Sequence, residues 1–395
     1  MFSSQTVSII KATVPVLQEH GEAITRHFYD LMFREHPEVK AFFNEAHQAS
    51  GTQARALAGA VLAYASHIDR LDEIAPALPR IVQKHAALGI LPEHYPIVGK
   101  CLLRAIREVL GAAATDEIIA AWGEAYGALA DILIGAEEQV YAGNAARAGG
   151  WRGERAFRVA RREKESELIE SFYLAPVDGG PLMNFTPGQY LTLVLRIDGE
   201  TLRRNYSLSD APGRRFYRIS VKREEGGRAS SWLHDNAKVG TELHVQAPCG
   251  DFLLQADDSA RPLVLVTGGV GITPAMSMLE AAAPSGRPIH FIHAARHGGV
   301  HAFRDRVNEL ASAHANVKVV YVYDQPREQD TPHETGLVTR DLLAQELPAD
   351  RDVDLYFLGP KPFMQAVYRI GLALGIARDR LRYEFFGPLE ELRAA

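Results

Sequence analysis

The spacing of apolar residues changes twice along the 395-residue chain, and this restricts the fold more than any other feature. Residues 1–142 repeat apolar positions about every 3.6 residues, as amphipathic helices do. Residues 152–256 contain short alternating segments separated by turns, which is typical of an antiparallel β-barrel. Across residues 257–395, apolar strands alternate with helical stretches, as in parallel α/β units. The sequence therefore predicts a multidomain chain: an all-α domain, an antiparallel β-barrel domain and an α/β domain with a parallel sheet. A small, flexible linker is predicted at residues 143–151.

The composition restricts the class of protein and its partners. Hydrophobic residues make up 47% and charged residues 23% of the chain, as in an ordinary globular protein, and the net charge of -6 argues against nucleic-acid binding. The two cysteines, Cys101 and Cys249, predict neither a disulfide framework nor a metal cluster, so we infer a reducing compartment. No stretch reaches the roughly 18 apolar residues of a membrane span, and the N-terminus lacks a signal-peptide pattern. We expect a cytoplasmic monomer without a membrane span.

His85 is the most informative polar residue of the helical region. It shares a helix face with Ile81 and Val82, so its imidazole should project into the domain interior. Gly89 and Pro92 then predict the end of this helix. Taken alone, such a histidine is more often a hydrogen-bonded core residue than a metal ligand.

Four further residues are candidates for a pocket around His85. Gln53 and Leu57 lie four residues apart and therefore share one helix face. Tyr29 lies in an aromatic-rich helical segment, and Phe43 follows it along the chain. The simpler interpretation of these residues is a set of core aromatics and a surface amide.

In their order and spacing, these residues make the helical region resemble a globin. The resemblance implies a haem b whose proximal iron ligand is the imidazole of His85, with Phe43 packed against the haem. It places Tyr29, Gln53 and Leu57 on the opposite face, where a diatomic ligand binds. Tyr29 would donate a hydrogen bond to bound oxygen, because charge-assisted hydrogen bonds are stronger than neutral ones, and Leu57 would limit the space over the iron.

Two residues are candidates for the proximal side of such a haem. Tyr95 follows His85 by ten residues, and Glu137 lies in the last predicted helix; on their own they could be a capping tyrosine and a solvated carboxylate. A resemblance to the globin domain of flavohaemoglobins implies that His85, Tyr95 and Glu137 form a hydrogen-bonded chain, which would push electron density into the iron. The spacing alone does not distinguish Glu137 from its neighbour Glu138, and the family pattern favours Glu137. The same resemblance places Lys84 between haem and flavin.

The barrel region contains three short motifs, Pro187-Gly188-Gln189-Tyr190, Arg204-Asn205-Tyr206-Ser207 and Gly226-Gly227-Arg228-Ala229-Ser230. In an alternating strand, Arg204 and Tyr206 face one way, and Asn205 and Ser207 face the other. One motif alone would be compatible with ordinary strand residues and a salt-bridged arginine.

Together, the three motifs resemble the FAD domain of ferredoxin-NADP reductases. The resemblance implies that Arg204 binds the FAD pyrophosphate and that Tyr206 lies against the isoalloxazine ring. It places Ser207 within hydrogen-bond reach of the reactive flavin nitrogen, and Ser230 against the phosphates. Tyr190 and Asn205 are assigned to the same FAD site.

A glycine-rich turn follows the first strand of the α/β region. Backbone N–H groups and the helix dipole favour an anion where such a turn leads into a helix, so the segment predicts a phosphate site. The residues expected there are Gly268, Gly269, Val270, Gly271, Ile272 and Thr273. The strict G-x-G-x-x-G fingerprint is not met, and this departure resembles the nucleotide domain of the ferredoxin reductases.

The C-terminal residues Glu384, Phe385, Phe386, Gly387 and Pro388 complete the resemblance to the reductase module. There Phe386 would cover the flavin until nicotinamide displaces it, and Phe385 replaces a cysteine that flavohaemoglobins usually have. Arg296 and His297 occupy the place where an acid would favour NADH and a basic group NADPH, and the choice between the two donors stays open.

The order of the three domains resembles the bacterial and yeast flavohaemoglobins across essentially the whole chain. The resemblance implies a nitric oxide dioxygenase in which NADH or NADPH reduces FAD, FAD reduces the haem, and the haem uses O₂ to oxidise NO to nitrate.

Two other functions stay in view. The globin could carry or sense oxygen while the reductase keeps the iron ferrous, although a carrier would be needed in excess over its reductase. Alternatively, the globin could have lost its function in a flavin or ferric reductase. The presence of His85, Tyr29 and Phe43 argues against this second alternative.

Overall fold

The structure, a computed structural model, describes residues 2–44, 48, 51–255 and 261–386. Helices form the N-terminal region: α1 Ser4–Ala12, α2 Val14–Glu35, α3 Thr52–Ser66, α4 Leu78–Leu88, α5 Tyr95–Leu110 and α6 Asp116–Ala146. Short 3-10 helices connect them at Pro37–Phe42, Leu71–Glu73, Ala75–Ala77, Pro92–His94 and Gly111–Ala113. The apolar faces of α1, α2, α3, α5 and α6 pack on a common core that includes Phe28 and Trp122. Val82 of α4 belongs to a separate, smaller cluster with Tyr95 and Leu133. The predicted all-α region is confirmed.

The bounds of α4 follow from local chemistry. Pro79 lies in its first turn, where a backbone N–H would have no partner within the helix, so its absence in proline costs no hydrogen bond. The fixed φ of proline also suits a helix. Gly89 ends the helix with a φ of 78°, a left-handed conformation that glycine adopts without a steric cost. This places His85 in the last turn, on a helix held at both ends.

A six-stranded antiparallel sheet forms the second region. Its strands are β1 Arg155–Lys164, β2 Ile169–Pro176, β3 Tyr190–Ile197, β4 Glu200–Ser207, β5 Tyr217–Lys222 and β6 Glu242–Val245, with α7 at Arg228–Asn236. The strand order is β4-β3-β6-β1-β2-β5, and a bridge between Leu208 and Ile219 joins the two ends of the sheet. The closed sheet surrounds an apolar core that includes Phe157 and Phe172. This is the predicted antiparallel β-barrel.

A parallel six-stranded sheet with helices on both faces forms the third region. Its strands are β7 Leu263–Gly268, β8 Ile289–Ala295, β9 Val317–Tyr323, β10 Glu334–Thr335, β11 Asp354–Leu358 and β12 Leu381–Tyr383, in the order β10-β9-β8-β7-β11-β12. The helices are α8 Ile272–Ala282, α9 Arg304–Ala313, α10 Arg340–Glu346 and α11 Lys361–Ala373. Two separate apolar cores cover the two faces of the sheet.

The boundaries between the regions differ in detail from the sequence prediction. Helix α6 continues to Ala146, so the residues predicted to begin the linker are still helical. The predicted boundary at residues 256 and 257 lies outside the described residues. The division of the chain into domains therefore stays a prediction in its details.

Helix α6 is long and apolar enough to cross a membrane by length and composition. Its Trp122 and Ala125 are nevertheless buried in the core of the helical region, and its Glu137 is buried as well. A single helix of this kind is weak evidence for a membrane span, because helices that pack in a protein core can meet the same criteria. The absence of a membrane span stays a prediction.

Candidate haem, flavin and nucleotide sites

The imidazole of His85 is held from behind by two residues of other helices. Its Nδ1 lies 2.7 Å from Oε1 of Glu137 and 3.2 Å from the Tyr95 hydroxyl. The Tyr95 hydroxyl donates to the same Glu137 oxygen at 2.6 Å. Because a carboxylate only accepts hydrogen bonds, Nδ1 carries the hydrogen that points to Glu137, and Nε2 lies on the other side of the ring. The structure thus brings together the three side chains of the predicted proximal chain.

Glu137 is the inward carboxylate of the two candidates. Its side chain is only 3% exposed. The neighbouring Glu138 is 51% exposed and forms a bidentate ion pair with Arg152, with N–O distances of 2.6 and 2.7 Å. Burial and the Glu137 hydrogen bond raise the pKa of the Tyr95 phenol, so it stays protonated as a donor. The structure thereby distinguishes Glu137 from Glu138, which the sequence spacing left as alternatives for the inward carboxylate.

The distal candidates lie close to one another in the core of the helical region. Tyr29 is 6% exposed, and Gln53 is its hydrogen-bonding partner. Burial raises the pKa of Tyr29 more than this hydrogen bond lowers it, so the phenol keeps its proton. The Tyr29 and Phe43 rings meet edge to face with centroids 5.6 Å apart, and Leu57 packs on the same core cluster.

Phe33 is a further member of this aromatic group that the sequence pattern did not single out. Its ring stacks on Tyr29 at 5.7 Å and meets Phe43 at 5.2 Å. The signal was present, because Phe33 follows Tyr29 by four residues and therefore shares its helix face. An imidazole backed by a carboxylate and a cluster of aromatic and aliphatic side chains have the chemistry that a haem b requires.

The register of β3 with β4 places the predicted flavin residues on two faces. Leu191 pairs with Tyr206 and Leu193 with Arg204, so these side chains share the core-facing side of the strand pair. Asn205 is on the other side and accepts a hydrogen bond of 2.8 Å from Thr192.

Tyr190 pairs with Ser207, next to the junction with the helical region. Its hydroxyl is buried and has no hydrogen-bond partner among the described residues. A buried phenol normally satisfies its hydroxyl, so an unpartnered one beside Ser207 fits a polar cofactor such as FAD.

Ser230 lies in the first turn of α7 and is bonded within its own turn. Its hydroxyl donates to the Gly227 carbonyl and accepts from the Glu224 N–H, each at 3.2 Å. A helix N-terminus is nevertheless favourable for a phosphate. The contact between Ser230 and the FAD phosphates stays a prediction.

A charged cluster lies where α4, the barrel and the C-terminal segment come together. Burial raises the pKa of Glu384 to about 7, with a further contribution from Asp251, while Lys84 and Arg80 act in the opposite direction. Burial lowers the pKa of Lys84, and Arg80 adds to the effect. The position of Lys84 between the haem and flavin sites stays a prediction.

The aromatic residues after Glu384 differ in their surroundings. The Phe385 ring meets Tyr383 at 5.8 Å, whereas Phe386 is 51% exposed. Gly387 and Pro388, which were also assigned to the flavin site, lie outside the described residues.

The glycine turn connects β7 to α8. A Cβ at Gly271 would lie 2.4 Å from the Leu358 carbonyl oxygen, so only glycine allows the turn to lie this close to β11. Gly269 has a φ of +54°, and Gly268 lies against the Phe363 ring.

The residues that follow in the turn contribute mainly to packing. Ile272 is fully buried, and the Thr273 hydroxyl donates to the Val270 carbonyl at 3.1 Å. The turn therefore offers its backbone N–H groups, rather than its side chains, to a phosphate.

Three family models match consecutive parts of the chain. The globin model matches residues 26–133, the oxidoreductase FAD-binding domain residues 156–253, and the oxidoreductase NAD-binding domain residues 265–369. A flavohaemoprotein from Burkholderia sp. (strain TH2) is 58% identical over 99% of this chain and 100% of its own length.

One solved structure shares the architecture of nearly the whole chain, and another shares that of its flavin and nucleotide regions. The flavohaemoglobin from Malassezia yamatoensis, which has bound FAD and haem, is 30% identical with a TM-score of 0.85, covering 98% of this chain and 99% of that one. The flavohaem-like FAD/NAD-binding domain of nitric oxide dioxygenase from Vibrio cholerae O1 biovar El Tor is 35% identical with a TM-score of 0.55, covering 59% of this chain and 99% of that one. The chain therefore belongs to the flavohaemoglobin family, an oxidoreductase with a haem-binding globin domain, an FAD-binding domain and an NAD(P)-binding domain.

Proposed function

We propose that the protein is a nitric oxide dioxygenase that uses NADH or NADPH and O₂ to convert NO to nitrate. When bound, the nicotinamide and FAD supply electrons, and the haem supplies the iron at which O₂ and NO react. The side chains described above would hold these groups and set their reactivity. We also expect a cytoplasmic monomer.

The observation that carries the proposal is the buried carboxylate behind His85. Glu137 accepts the Nδ1 hydrogen of His85 and is itself shielded from water, so the imidazole gains anionic character. Such a ligand donates electron density to the iron, which suits oxygen activation better than oxygen storage. The Tyr95 hydroxyl, bonded to the same oxygen, fixes the carboxylate in place.

The distal side supports the same function. Tyr29 is buried and keeps its proton, so its hydroxyl can act as a donor towards a diatomic ligand that gains negative charge. Gln53 is its hydrogen-bonding partner and orients the phenol. Phe43 and Leu57 pack as apolar, partly buried side chains on the cluster that contains Tyr29. The similar FAD/NAD-binding domain from Vibrio cholerae is part of a nitric oxide dioxygenase, which supports the proposal as well.

The experiment that tests the proposal follows O₂ and NO together. Purified holoenzyme is given NADH in air-saturated buffer, and electrodes record both gases as NO is added in steps. A dioxygenase consumes O₂ in proportion to NO and forms nitrate. An oxygen carrier or sensor would bind O₂ once without continuing consumption, and a flavin or ferric reductase would oxidise NADH independently of NO; either result would overturn the proposal.

A further inference from the structure

The helix that bears His85 lies directly against the flavin domain. Ala86 and Ala87 of α4 form one apolar cluster with Tyr190 and Cys249 of the barrel, and Tyr141 of α6 completes it. Residues next to the proposed iron ligand therefore belong to the same apolar cluster as the tyrosine assigned to the flavin. Small displacements of α4 would change the distance between the two cofactors.

Gln83 forms a hydrogen bond across this junction. It lies two residues before His85, and its Oε1 accepts the backbone N–H of Gly250 at 3.0 Å. Gly250 has a φ of +128°, and a Cβ there would lie 3.1 Å from the Tyr190 ring. The N–H group that donates to Gln83 therefore belongs to a backbone segment in close contact with Tyr190, the tyrosine assigned to the flavin site.

The same segment of the barrel is fixed to its own domain. The Tyr190 N–H donates to the Cys249 carbonyl at 2.9 Å, and the Cys249 N–H donates back at 3.1 Å. Movement of Gly250 is therefore coupled to movement of β3. Gln83 attaches α4 to a rigid part of the flavin domain.

The C-terminal end of α4 is held as well. A Cβ at Gly89 would lie 2.9 Å from Nε2 of Gln246, so the helix end and this barrel residue are in close contact. The Tyr141 hydroxyl donates to the Ile90 carbonyl at 2.5 Å. Packing limits movement at this end, whereas Gln83 supplies a directional contact next to the iron ligand.

We propose that Gln83 is a positioning residue for electron transfer from flavin to haem. By accepting the Gly250 N–H, it holds the His85 helix at a fixed distance and orientation relative to the flavin strand. The rate of electron transfer falls steeply with distance, so a fixed junction keeps it fast. This inference rests on the electron route in the proposed function.

The electrons balance without any redox role for Gln83. One NAD(P)H transfers a hydride to FAD and leaves as NAD(P)⁺, so the flavin gains two electrons. When bound, the flavin would supply these electrons one at a time to ferric iron, giving two ferrous irons per hydride, and the single proton that arrives with the hydride would go to solvent. Gln83 only holds the two domains in place for these transfers.

The test isolates this transfer from the chemistry of NO and O₂. Anaerobic holoenzyme under CO is mixed with NADH in a stopped-flow instrument, which follows flavin bleaching and the appearance of the ferrous CO spectrum. Gln83→Leu keeps much of the side-chain volume and removes the acceptor, and Gln83→Glu retains an acceptor oxygen. Gln139→Leu makes the same change at an exposed glutamine of α6 and serves as the matched control.

We expect Gln83→Leu to slow haem reduction roughly two- to ten-fold. Losing one hydrogen bond lowers, by about this factor, the population of molecules in which α4 is held against the flavin domain. Flavin reduction by NADH, FAD content and the haem spectrum should match the parent protein. Gln83→Glu should restore most of the rate, and Gln139→Leu should leave it unchanged. Gln83→Ser, which is too short to reach Gly250, should reproduce the defect without a bulky apolar group.

Two results would overturn the inference. One is haem reduction at the parent rate in both Gln83→Leu and Gln83→Ser. The other is an equally slow Gln83→Glu, which would show that the acceptor oxygen is not the relevant feature. Because the assay contains neither NO nor O₂, failure of the dioxygenase proposal would appear separately, as absent NO consumption in the parent protein.

Discussion

The haem site and the nucleotide site of this protein are built in different ways. The haem site depends on side chains from distant parts of the chain: His85 and Glu137 are 52 residues apart in sequence. The nucleotide site depends on the backbone of one contiguous turn, in which Gly269 and Gly271 allow a conformation and a close approach that other residues would prevent. We therefore expect side-chain substitutions to have large effects at the first site, and backbone-altering substitutions to have large effects at the second.

The largest expected effect is that of His85→Ala. Removing the imidazole removes the proposed bond between protein and iron, so the purified variant should retain no haem. FAD should stay bound, and NADH should still reduce an artificial acceptor at the parent rate, because the barrel and the nucleotide domain are untouched. The absorption spectrum and an acceptor assay on the same sample measure both. Retained haem with an unaltered Soret band would show that another residue binds the iron.

Gly271→Ala should produce the largest defect at the nucleotide site. The new Cβ would lie 2.4 Å from the Leu358 carbonyl oxygen, and backbone atoms cannot yield as a flexible side chain can. Overpacking of this kind costs about 1–3 kcal/mol, roughly a five- to hundred-fold loss in apparent NADH affinity if the turn must move before it can bind. The haem spectrum should not change. Hydride transfer at the parent rate and affinity would show that the turn tolerates a side chain.

Glu137→Gln and Glu138→Gln form a matched pair. Glu137→Gln exchanges the buried acceptor behind His85 for a neutral amide, and loss of such a partner typically lowers activity roughly ten- to a hundred-fold. Glu138→Gln removes only an exposed ion pair with Arg152 and should leave turnover unchanged. The iron–histidine stretching frequency of the ferrous protein should fall in the first variant and stay constant in the second. Equal behaviour of the two variants would remove the main support for the proposed function.

Tyr29→Phe tests the distal side. The substitution keeps the ring that packs on Phe33 and Phe43 and removes only the hydroxyl. Losing a hydrogen bond to a charged acceptor costs about 1–3 kcal/mol, so the O₂ dissociation rate should rise roughly five- to a hundred-fold. NO turnover should fall most at low oxygen, while reduction of an artificial acceptor through FAD stays at the parent rate. An unchanged off-rate would mean that Tyr29 does not contact the ligand.

The same contrast explains what could be predicted from the sequence. The glycine turn is contiguous, so its residues and their place between a strand and a helix could be predicted together. Alternation in β4 likewise placed Arg204 and Tyr206 on one face, as the structure shows. The order of the three regions followed from periodicity, because helices and strands repeat at 3.6 and 2 residues.

Contacts between distant segments could not be predicted in this way. The orientation of Glu137 against Glu138 depends on how α6 packs on α4, and periodicity does not resolve adjacent residues on a helix. Gln83 gave no signal, because its partner is a backbone N–H of another domain. The continuation of α6 into the predicted linker was missed because small residues such as Ala145 and Ala146 suit both a helix and a flexible segment.

The smallest expected effect is that of Val270→Ala, which tests whether the nucleotide site depends on the backbone of the turn or on a side chain. Val270 lies between Gly269 and Gly271, and its partly buried side chain packs on the core beneath the turn. If the turn binds phosphate through its backbone, alanine keeps the same N–H in the same place, and the KM for NADH should change by less than about two-fold. The domain should lose some stability, because two methyl groups no longer pack, so a lower melting temperature with an unchanged KM is the expected pattern. A several-fold rise in KM at unchanged stability would show instead that the valine side chain contacts the nucleotide, and the distinction between a side-chain-built and a backbone-built site would then not hold.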